Sequence, residues 1–251
     1  MQRYFIELDN WKENSILITG DDVHHIARVM RMTEGDELVC VHPSMGAAVC
    51  EIKEVRGDQV RCEIVEWEHE DREMPVKVTI VQSLGKGDKM EQVVQKGTEL
   101  GANQFISFQA KRSVVKWDEK KASKKLQRLE KIAKEASEQS ERSHIPQVQH
   151  ASSLQEILET AKDYTLCLIA YEDEARQNSC QTLARELQKV RDGDEILIIF
   201  GPEGGFADEE VEELKNHNFS PVRLGPRILR METAPLYFLS SLSYQLEEMP
   251  E

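Results

Sequence analysis

Arg227 and Arg230 flank Ile228 and Leu229 in the stretch Leu224-Gly225-Pro226-Arg227-Ile228-Leu229-Arg230-Met231-Glu232-Thr233-Ala234. Apolar side chains beside rigid guanidinium forks suit an aromatic base on one side and an anion, or a developing negative charge, on the other. Ion pairing of Arg230 with Glu232 is the structural alternative. Upstream lies Phe200-Gly201-Pro202-Glu203-Gly204-Gly205-Phe206, followed by Asp208-Glu209-Glu210. Glycines there supply tight-turn geometry, and a helix N-terminus after such a turn is a ready anion cradle. Here the carboxylates occupy that position and repel phosphate. The chain has no G-x-x-x-x-G-K-[ST], and Gly85-Lys86-Gly87-Asp88-Lys89-Met90 lacks the third glycine of a dinucleotide fingerprint. Those absences argue against a nucleoside triphosphatase or a nicotinamide-dependent dehydrogenase. A ligand without phosphates, carrying positive charge, fits better. In a third cluster, Glu135, Glu138, Gln139 and Arg142 share a face if one helix runs through them. An ordinary ion pair between Glu138 and Arg142 would explain that spacing as well.

The first two stretches must be held by strands. Glu195 to Phe200 and Pro221 to Leu224 are short apolar runs ending in Gly and Pro, so each predicts a strand entering a tight loop. Two such junctions at one sheet edge form the crevice where open α/β sheets bind ligands. Further strands are predicted at Val76 to Val81, Gln104 to Phe108 and Thr165 to Ala170. Helices are predicted at Asp88 to Leu100, Asp118 to Arg142, Leu154 to Lys162, Gln181 to Val190 and Asp208 to Asn216, with a last one starting near Thr233, where Pro235 fits a first turn. Alternation of this kind implies a largely parallel sheet covered on both faces.

Before Val76 the pattern is different. Arg3 to Leu8, Ser15 to Thr19, Asp36 to His42, Ala47 to Val55 and Gln59 to Trp67 read as strands around one helix, Asp21 to Met32, with Val23, Ile26, Ala27 and Met30 on its buried face. Five short strands and a helix suggest a small barrel, and Glu66 to Pro75 reads as a linker. At 251 residues and 39% hydrophobic the chain can fill two cores. A net charge of −14 excludes a generic polyanion binder. The basic excess between Lys111 and Arg142 suits a selected nucleic-acid partner instead. Cys40, Cys50, Cys62, Cys167 and Cys180 are scattered without a C-x-x-C pair, which predicts buried thiols in a reducing, cytoplasmic setting and no metal site. No apolar run approaches membrane-spanning length.

The chain resembles the RsmE family, bacterial 16S rRNA (uracil-N3)-methyltransferases of the SPOUT superfamily. The resemblance rests on His25-Ile26-Ala27-Arg28-Val29-Met30-Arg31; on Lys89-Met90-Glu91 with Gln95-Lys96 and Glu99-Leu100-Gly101; and on Glu138-Gln139-Ser140 with Arg142. It continues through Gly201 to Gly205 and Leu224 to Arg230 with Glu232-Thr233. These motifs occur in order over nearly the whole chain. Met30 and Ala102 are mild departures, where the family usually has Leu and Val.

The resemblance implies an α/β fold in which residues 1–72 form a PUA-like RNA-binding β-barrel and residues 73–251 a SPOUT methyltransferase domain, a mostly parallel sheet with a trefoil knot. It implies S-adenosylmethionine (SAM) as cofactor, held by Gly201, Glu203, Gly204, Gly205, Leu224, Gly225, Ile228 and Leu229. The implied chemistry falls to Arg230, Glu138, Arg142 and Glu232, and RNA contacts to Arg3, His25, Arg28, Arg31, Arg112, Lys124 and Lys125. The implied partners are 16S rRNA in the assembled small subunit and a second copy of the chain. A ribose 2′-O-methyltransferase of the same superfamily and an RNA-binding module without catalysis are the rival readings.

Overall fold

A computed structural model describes residues 1–68, 72–171 and 181–249. Within it the chain divides into two units, Met1–Glu73 with Ser137–His144, and Met74–Ala136 with Ile145–Glu251.

The first unit is built on β1 (Arg3–Phe5), β2 (Ser15–Thr19), β3 (Glu37–His42), β4 (Gly46–Arg56) and β5 (Gln59–Trp67). These form one sheet in the order β1-β3-β4-β5-β2, with β1 parallel to β3 and the other pairs antiparallel. Alternate residues point inward, as the two-residue period of a strand requires. Tyr4, Ile16, Ile18, Leu38, Ile52 and Val60 therefore meet in one core, together with the free thiols of Cys40, Cys50 and Cys62. Cys167, in the second unit, is also free and half-buried, and Cys180 lies outside the described residues.

Two expectations for this unit are corrected. The helix expected from Asp21 to Met32 is α1 (Asp21–His24) followed by a wider π turn over His25–Val29. The extra residue per turn rotates the apolar stripe, so Val23 and Ile26 are buried while Met30 is exposed. Arg31 follows in the left-handed region at φ 57°. The expected linker is also shorter than Glu66 to Pro75. Strand β5 runs to Trp67, Glu73 accepts hydrogen bonds from the Ser143 and His144 amides, and Met74 is buried; residues 69–71 lie outside the described residues.

The second unit holds β6 (Lys77–Ser83), β7 (Gln104–Phe108), β8 (Gln147–Ala151), β9 (Leu166–Ala170), β10 (Gln181–Thr182), β11 (Glu195–Phe200) and β12 (Ser220–Arg223). They pair in the order β10-β12-β9-β11-β6-β7-β8, and every pair is parallel. The helices are α2 (Lys89–Glu99), α3 (Glu119–Gln139), α4 (Leu154–Thr160), α5 (Leu183–Leu187), α6 (Asp208–Asn216) and α7 (Ala234–Ser243). One cluster around Val78, Ile80, Phe105, Ile196, Ile198 and Phe238 fills one face of the sheet. A second, around Val81, Ile106, Phe108, Leu197, Ile199 and Leu214, fills the other. Strands covered on both faces explain the continuous apolar run Ile196 to Phe200.

Strand β8 was not expected. Its sequence, Gln147-Val148-Gln149-His150-Ala151, has two apolar residues, because an edge strand packs less of its surface than a central one. The helix expected over Gln181 to Val190 begins later, after the two-residue strand β10. Helix α3 stops at Gln139 rather than Arg142. Glu141 takes φ 57°, and the Arg142 N–H closes the end on the Ser137 carbonyl at 2.9 Å. This is the left-handed cap with a six-to-one bond that ends many helices. It removes Arg142 from the helical face on which it was expected to line up with Glu135 and Glu138.

Candidate functional site

In the second unit, the carboxyl ends of β9, β11 and β12 open into one cavity of about 600 Å³. Its walls are Ala170 at the end of β9 with Tyr171 beyond it, Phe200 at the end of β11 with the turn to Phe206, and Val222 and Arg223 at the end of β12 with the loop that leads to Met231. Strand order explains the convergence. Strand β11 lies between β9 and β6, and β12 between β10 and β9, so the loops that follow leave one sheet edge at a change of winding direction. Such a switch point is where parallel sheets bind ligands, and the volume lies in the range of small-molecule sites, about 300–1,000 Å³.

Every residue expected to hold the cofactor lines this cavity: Gly201, Glu203, Gly204, Gly205, Leu224, Gly225, Ile228 and Leu229. Gly225 has φ 79°, and a Cβ there would meet the Tyr237 hydroxyl at 3.3 Å. Gly204 has ordinary backbone geometry, and a Cβ would only touch Arg112. Ile228 is 73% exposed, an apolar side chain at the cavity mouth with nothing packed over it.

Arg230 lines the cavity too. Its carbonyl accepts from the Thr233 and Ala234 amides and so starts α7, yet among the described residues no acceptor pairs with its guanidinium. The alternative pairing of Arg230 with Glu232 is not what forms. The Glu232 Oε2 atom is buried, accepts no hydrogen bond from the described residues, and lies 3.6 Å from Lys89 Nζ.

Lys89 had no assigned role beyond its place in a motif, and the structure gives it one. Its ammonium donates to Glu203 Oε1 at 2.9 Å and faces Glu232, so one cation ties the turn after β11 to the loop before α7. The hydrogen bond to Glu203 raises the Lys89 pKa above its ordinary value. Burial works to raise the Glu203 pKa, but the Lys89 hydrogen bond and the backbone amides of Glu203 and Lys86 outweigh it, leaving the carboxyl below its usual range. No local signal marks this, because the partners are more than a hundred residues away in the chain.

The signs fix a pH dependence. Glu203, depressed in the folded state, stabilises above its unfolded value near 4.5 and stops doing so as pH falls through the folded value. Lys89, raised, stabilises below about 10.5 and stops as pH rises through its folded value. Lys89→Met should therefore melt lower than the unaltered protein at neutral pH. The gap should close below pH 4.5 and above 10.5. Melting curves across that range check it, and a gap independent of pH would exclude the ion pair as its source.

The acids after the turn do not all face the cavity. Glu210 is buried and accepts from its own helix start, the Ala207 amide at 2.9 Å, and from the Lys111 amide at 2.8 Å. Arg112, expected among the RNA contacts, lines the cavity beside Gly204. Lys124 is exposed on α3, while Lys125 and Arg128 reach Glu91 at 3.5 and 2.7 Å, which neutralises part of the basic run.

The remaining expected residues belong to the first unit. Arg28 and Arg31 are exposed. The His25 ring bonds the Tyr4 hydroxyl at 2.9 Å. Arg3 is buried, donating to Glu68 at 2.7 Å and to the Arg142 carbonyl at 3.3 Å. Arg142 is 3% exposed, with its Nε and Nη2 both on the Glu73 carboxylate. A guanidinium held this way braces its own loop. Glu138 sits half-buried in the last turn of α3.

Comparison with known proteins gives a consistent relation. An RNA methyltransferase domain family matches residues 72–243, and an RNA methyltransferase PUA domain family matches residues 18–65. Ribosomal RNA small subunit methyltransferase E of Bacillus subtilis (strain 168) is 49% identical over 250 residues, covering 98% of both chains. The crystal structure of ribosomal RNA small subunit methyltransferase E from Neisseria gonorrhoeae bound to S-adenosyl methionine matches with a TM-score of 0.84 at 26% identity, covering 97% of each chain. A Legionella pneumophila protein solved with bound SAM matches with a TM-score of 0.83 at 30% identity, covering 96% of each.

Proposed function

The chain belongs to the RNA methyltransferase family, and we propose that it is a SAM-dependent enzyme that methylates N3 of a decoding-centre uridine in the 16S rRNA of the small ribosomal subunit. The observation that carries this reading is the cavity at the ends of β9, β11 and β12, where Arg230, which has no partner among the described residues, stands beside a glycine-walled space lined by Leu224, Ile228 and Leu229 and by Glu203. The chemistry of the walls fits SAM. Glycine backbone allows close approach, Leu224 and Leu229 offer apolar surface, and a lining that carries Glu203 as well as Arg112, Arg223, Arg227 and Arg230 suits a zwitterion with both a sulfonium and a carboxylate. When bound, the cofactor supplies an electrophilic methyl group on a sulfonium.

The protein's own residues have to prepare the nucleophile. The neutral imide nitrogen of uracil has no free lone pair, so its proton must leave and negative charge spreads over O2, N3 and O4. In this reading Arg230 faces that charge with a preorganised fork. Glu232, whose Oε2 accepts no hydrogen bond from the described residues, receives the proton or passes it on. Lys89 holds Glu203 and Glu232 in place. Glu138 and Arg142 serve the RNA side, Arg142 by fixing its loop through Glu73. His25, Arg28 and Arg31 in the first unit, and Arg112, Lys124 and Lys125 in the second, provide local contacts to a structured RNA, through which an acidic protein selects one polyanion, whereas Arg3, buried against Glu68, braces the first unit instead of touching RNA.

The trefoil knot belongs to the same proposal, supported by the interleaved order of β9 to β12. So does a homodimer, supported by the exposed Ile228, Tyr237 and Tyr244 of the second unit. No helix among the described residues is long and apolar enough to cross a membrane, and a ribosomal target places the work in the cytoplasm.

Mass mapping of rRNA from a deletion strain tests the whole reading, because it names both nucleotide and atom. Loss of one base methyl at uridine N3, restored by the cloned gene, is the expected result. Loss of a ribose 2′-O-methyl, or no loss, would overturn it.

A further inference from the structure

The main cavity carries more positive charge than the proposed chemistry uses. Arg112, Arg223, Arg227 and Arg230 line it, whereas Asp208, Glu209 and Glu210 do not. Among the described residues Arg223, Arg227 and Arg230 find no acceptor for their guanidinium groups, and Arg112 reaches only the Gly204 carbonyl, at 3.5 Å. Glu203 is the single carboxylate in the described lining, and Lys89 already holds it. Elsewhere Arg3, Arg56, Arg61, Arg72, Arg128 and Arg142 each meet a carboxylate. With 46 acidic residues against 32 basic ones, such partners are easy to reach. A wall that keeps its guanidinium groups away from them leaves their charge for a ligand.

The cofactor cannot match that charge. SAM has one carboxylate against an ammonium and a sulfonium, so it enters with a net positive charge. Its carboxylate occupies one arginine, and Arg230 faces the uracil anion. The exposed groups left over are Arg112, beside the turn after β11, and Arg227, in the loop after β12. They stand at the mouth on different loops. The anion that a substrate strand brings to such a mouth is a phosphodiester, and a guanidinium fork matches two of its oxygens.

The same cations act on the cofactor. A space of about 600 Å³ is roughly 10 Å across, about one Debye length at 0.1 M salt, so a charge on any wall is felt throughout it. With the rim bare, the sulfonium enters against unopposed positive charge. Phosphates on the rim remove that opposition. S-adenosylhomocysteine (SAH), which remains once the methyl group has left, lacks the sulfonium charge and gains nothing from the change.

We propose that Arg112 and Arg227 bind phosphodiester groups of the strand that carries the acceptor uridine, and that this contact couples the two ligands: RNA raises the affinity for SAM and leaves that for SAH unchanged. The proposal rests on the reading that the protein methylates RNA. It adds an order to that reaction, because the charged cofactor is held tightly only with the strand in place. Coupling between binding sites is reciprocal, so SAM also tightens the hold on RNA.

Calorimetric titration of SAM and of SAH into the full chain, with and without a saturating uridine hexanucleotide, tests this. SAM affinity is expected to rise at least about fivefold, the lower end of coupling between sites, and SAH affinity by less than about twofold. Uridine nucleoside, which brings the base without phosphate, should change neither. The double variant Arg112→Gln/Arg227→Gln should bind SAM more tightly than the unaltered protein when RNA is absent, and should lose the coupling. Arg227→Lys, which keeps the charge, should retain it. Equal gains for SAM and SAH would show that the strand closes the site instead of neutralising it, and a gain with the nucleoside would assign the effect to the base. Either overturns the proposal, as does coupling that survives in the double variant, or a SAM affinity that RNA leaves unchanged. None of these measurements needs methyl transfer. Absent coupling with intact N3 methylation in the rRNA map sinks the rim alone, and intact coupling with a different mark in the map sinks the assigned atom alone.

Discussion

Arg230→Lys is expected to lower kcat by about a hundredfold or more while leaving SAM affinity nearly unchanged. The charge survives the change, but the planar fork that can hold two oxygens of a uracil anion does not. Removing one preorganised donor at a developing charge costs about that much in other enzymes. The structure sharpens the prediction by removing its main competitor. A structural role would require Arg230 to hold Glu232, yet the neighbour of Glu232 is Lys89, and the Arg230 guanidinium has no partner among the described residues. Nothing in the fold should weaken when the fork is lost, so the melting temperature should stay within about a degree or two of the unaltered protein, the range left by neutral surface changes. Single-turnover methylation at saturating SAM, paired with a melting curve, reads both. Near-normal turnover would remove Arg230 from the chemistry, and a large fall in melting temperature would return it to a structural role.

Gly225→Val is expected to weaken SAM binding at least tenfold, about 1.4 kcal/mol. Two effects act together at this position. The backbone sits at φ 79°, where a β-branched residue is strained, and the new side chain would press on the Tyr237 hydroxyl of α7. Gly204→Val was expected from the sequence to do the same, but Gly204 has ordinary geometry and meets only Arg112. It should therefore act by filling the cavity mouth alone, with a smaller loss. Calorimetric titration of SAM into both folded variants ranks them. Equal affinities in Gly225→Val and the unaltered protein would take the loop after β12 out of the cofactor site.

The contrast between these glycines shows what could be read from residues in order. The spacing of Gly201 to Gly205 and of Leu224 to Arg230 located the two loops that wall the main cavity, and the alternation of apolar runs located β6, β7, β9, β11 and β12 within a residue or two. These signals are local: turn chemistry and side-chain periodicity act over a few neighbours. Strand β8 escaped because an edge strand with two apolar residues carries almost no periodic signal. The helix ending at Gln139 escaped because Glu141 adopts a conformation usually left to glycine, which hides the stop.

The amino-acid sequence by itself determined the fold class and the two loops that wall the main cavity, but not the sign of the charge there: Asp208, Glu209 and Glu210 lie outside the lining, and Lys89, Arg112, Arg223, Arg227 and Arg230 lie within it. Tertiary structure alone decided which side chains meet. Lys89 reaches Glu203 across 114 positions, and Arg142 reaches Glu73 across 69. Both pairings depend on which strands lie side by side or on how a helix ends against a distant segment. Strand order follows from burying two apolar sheet faces at once, a property of the whole chain. No window of residues carries it, so Arg230 at the cavity, without a partner among the described residues, and Arg142 committed to Glu73 look alike until the chain is folded.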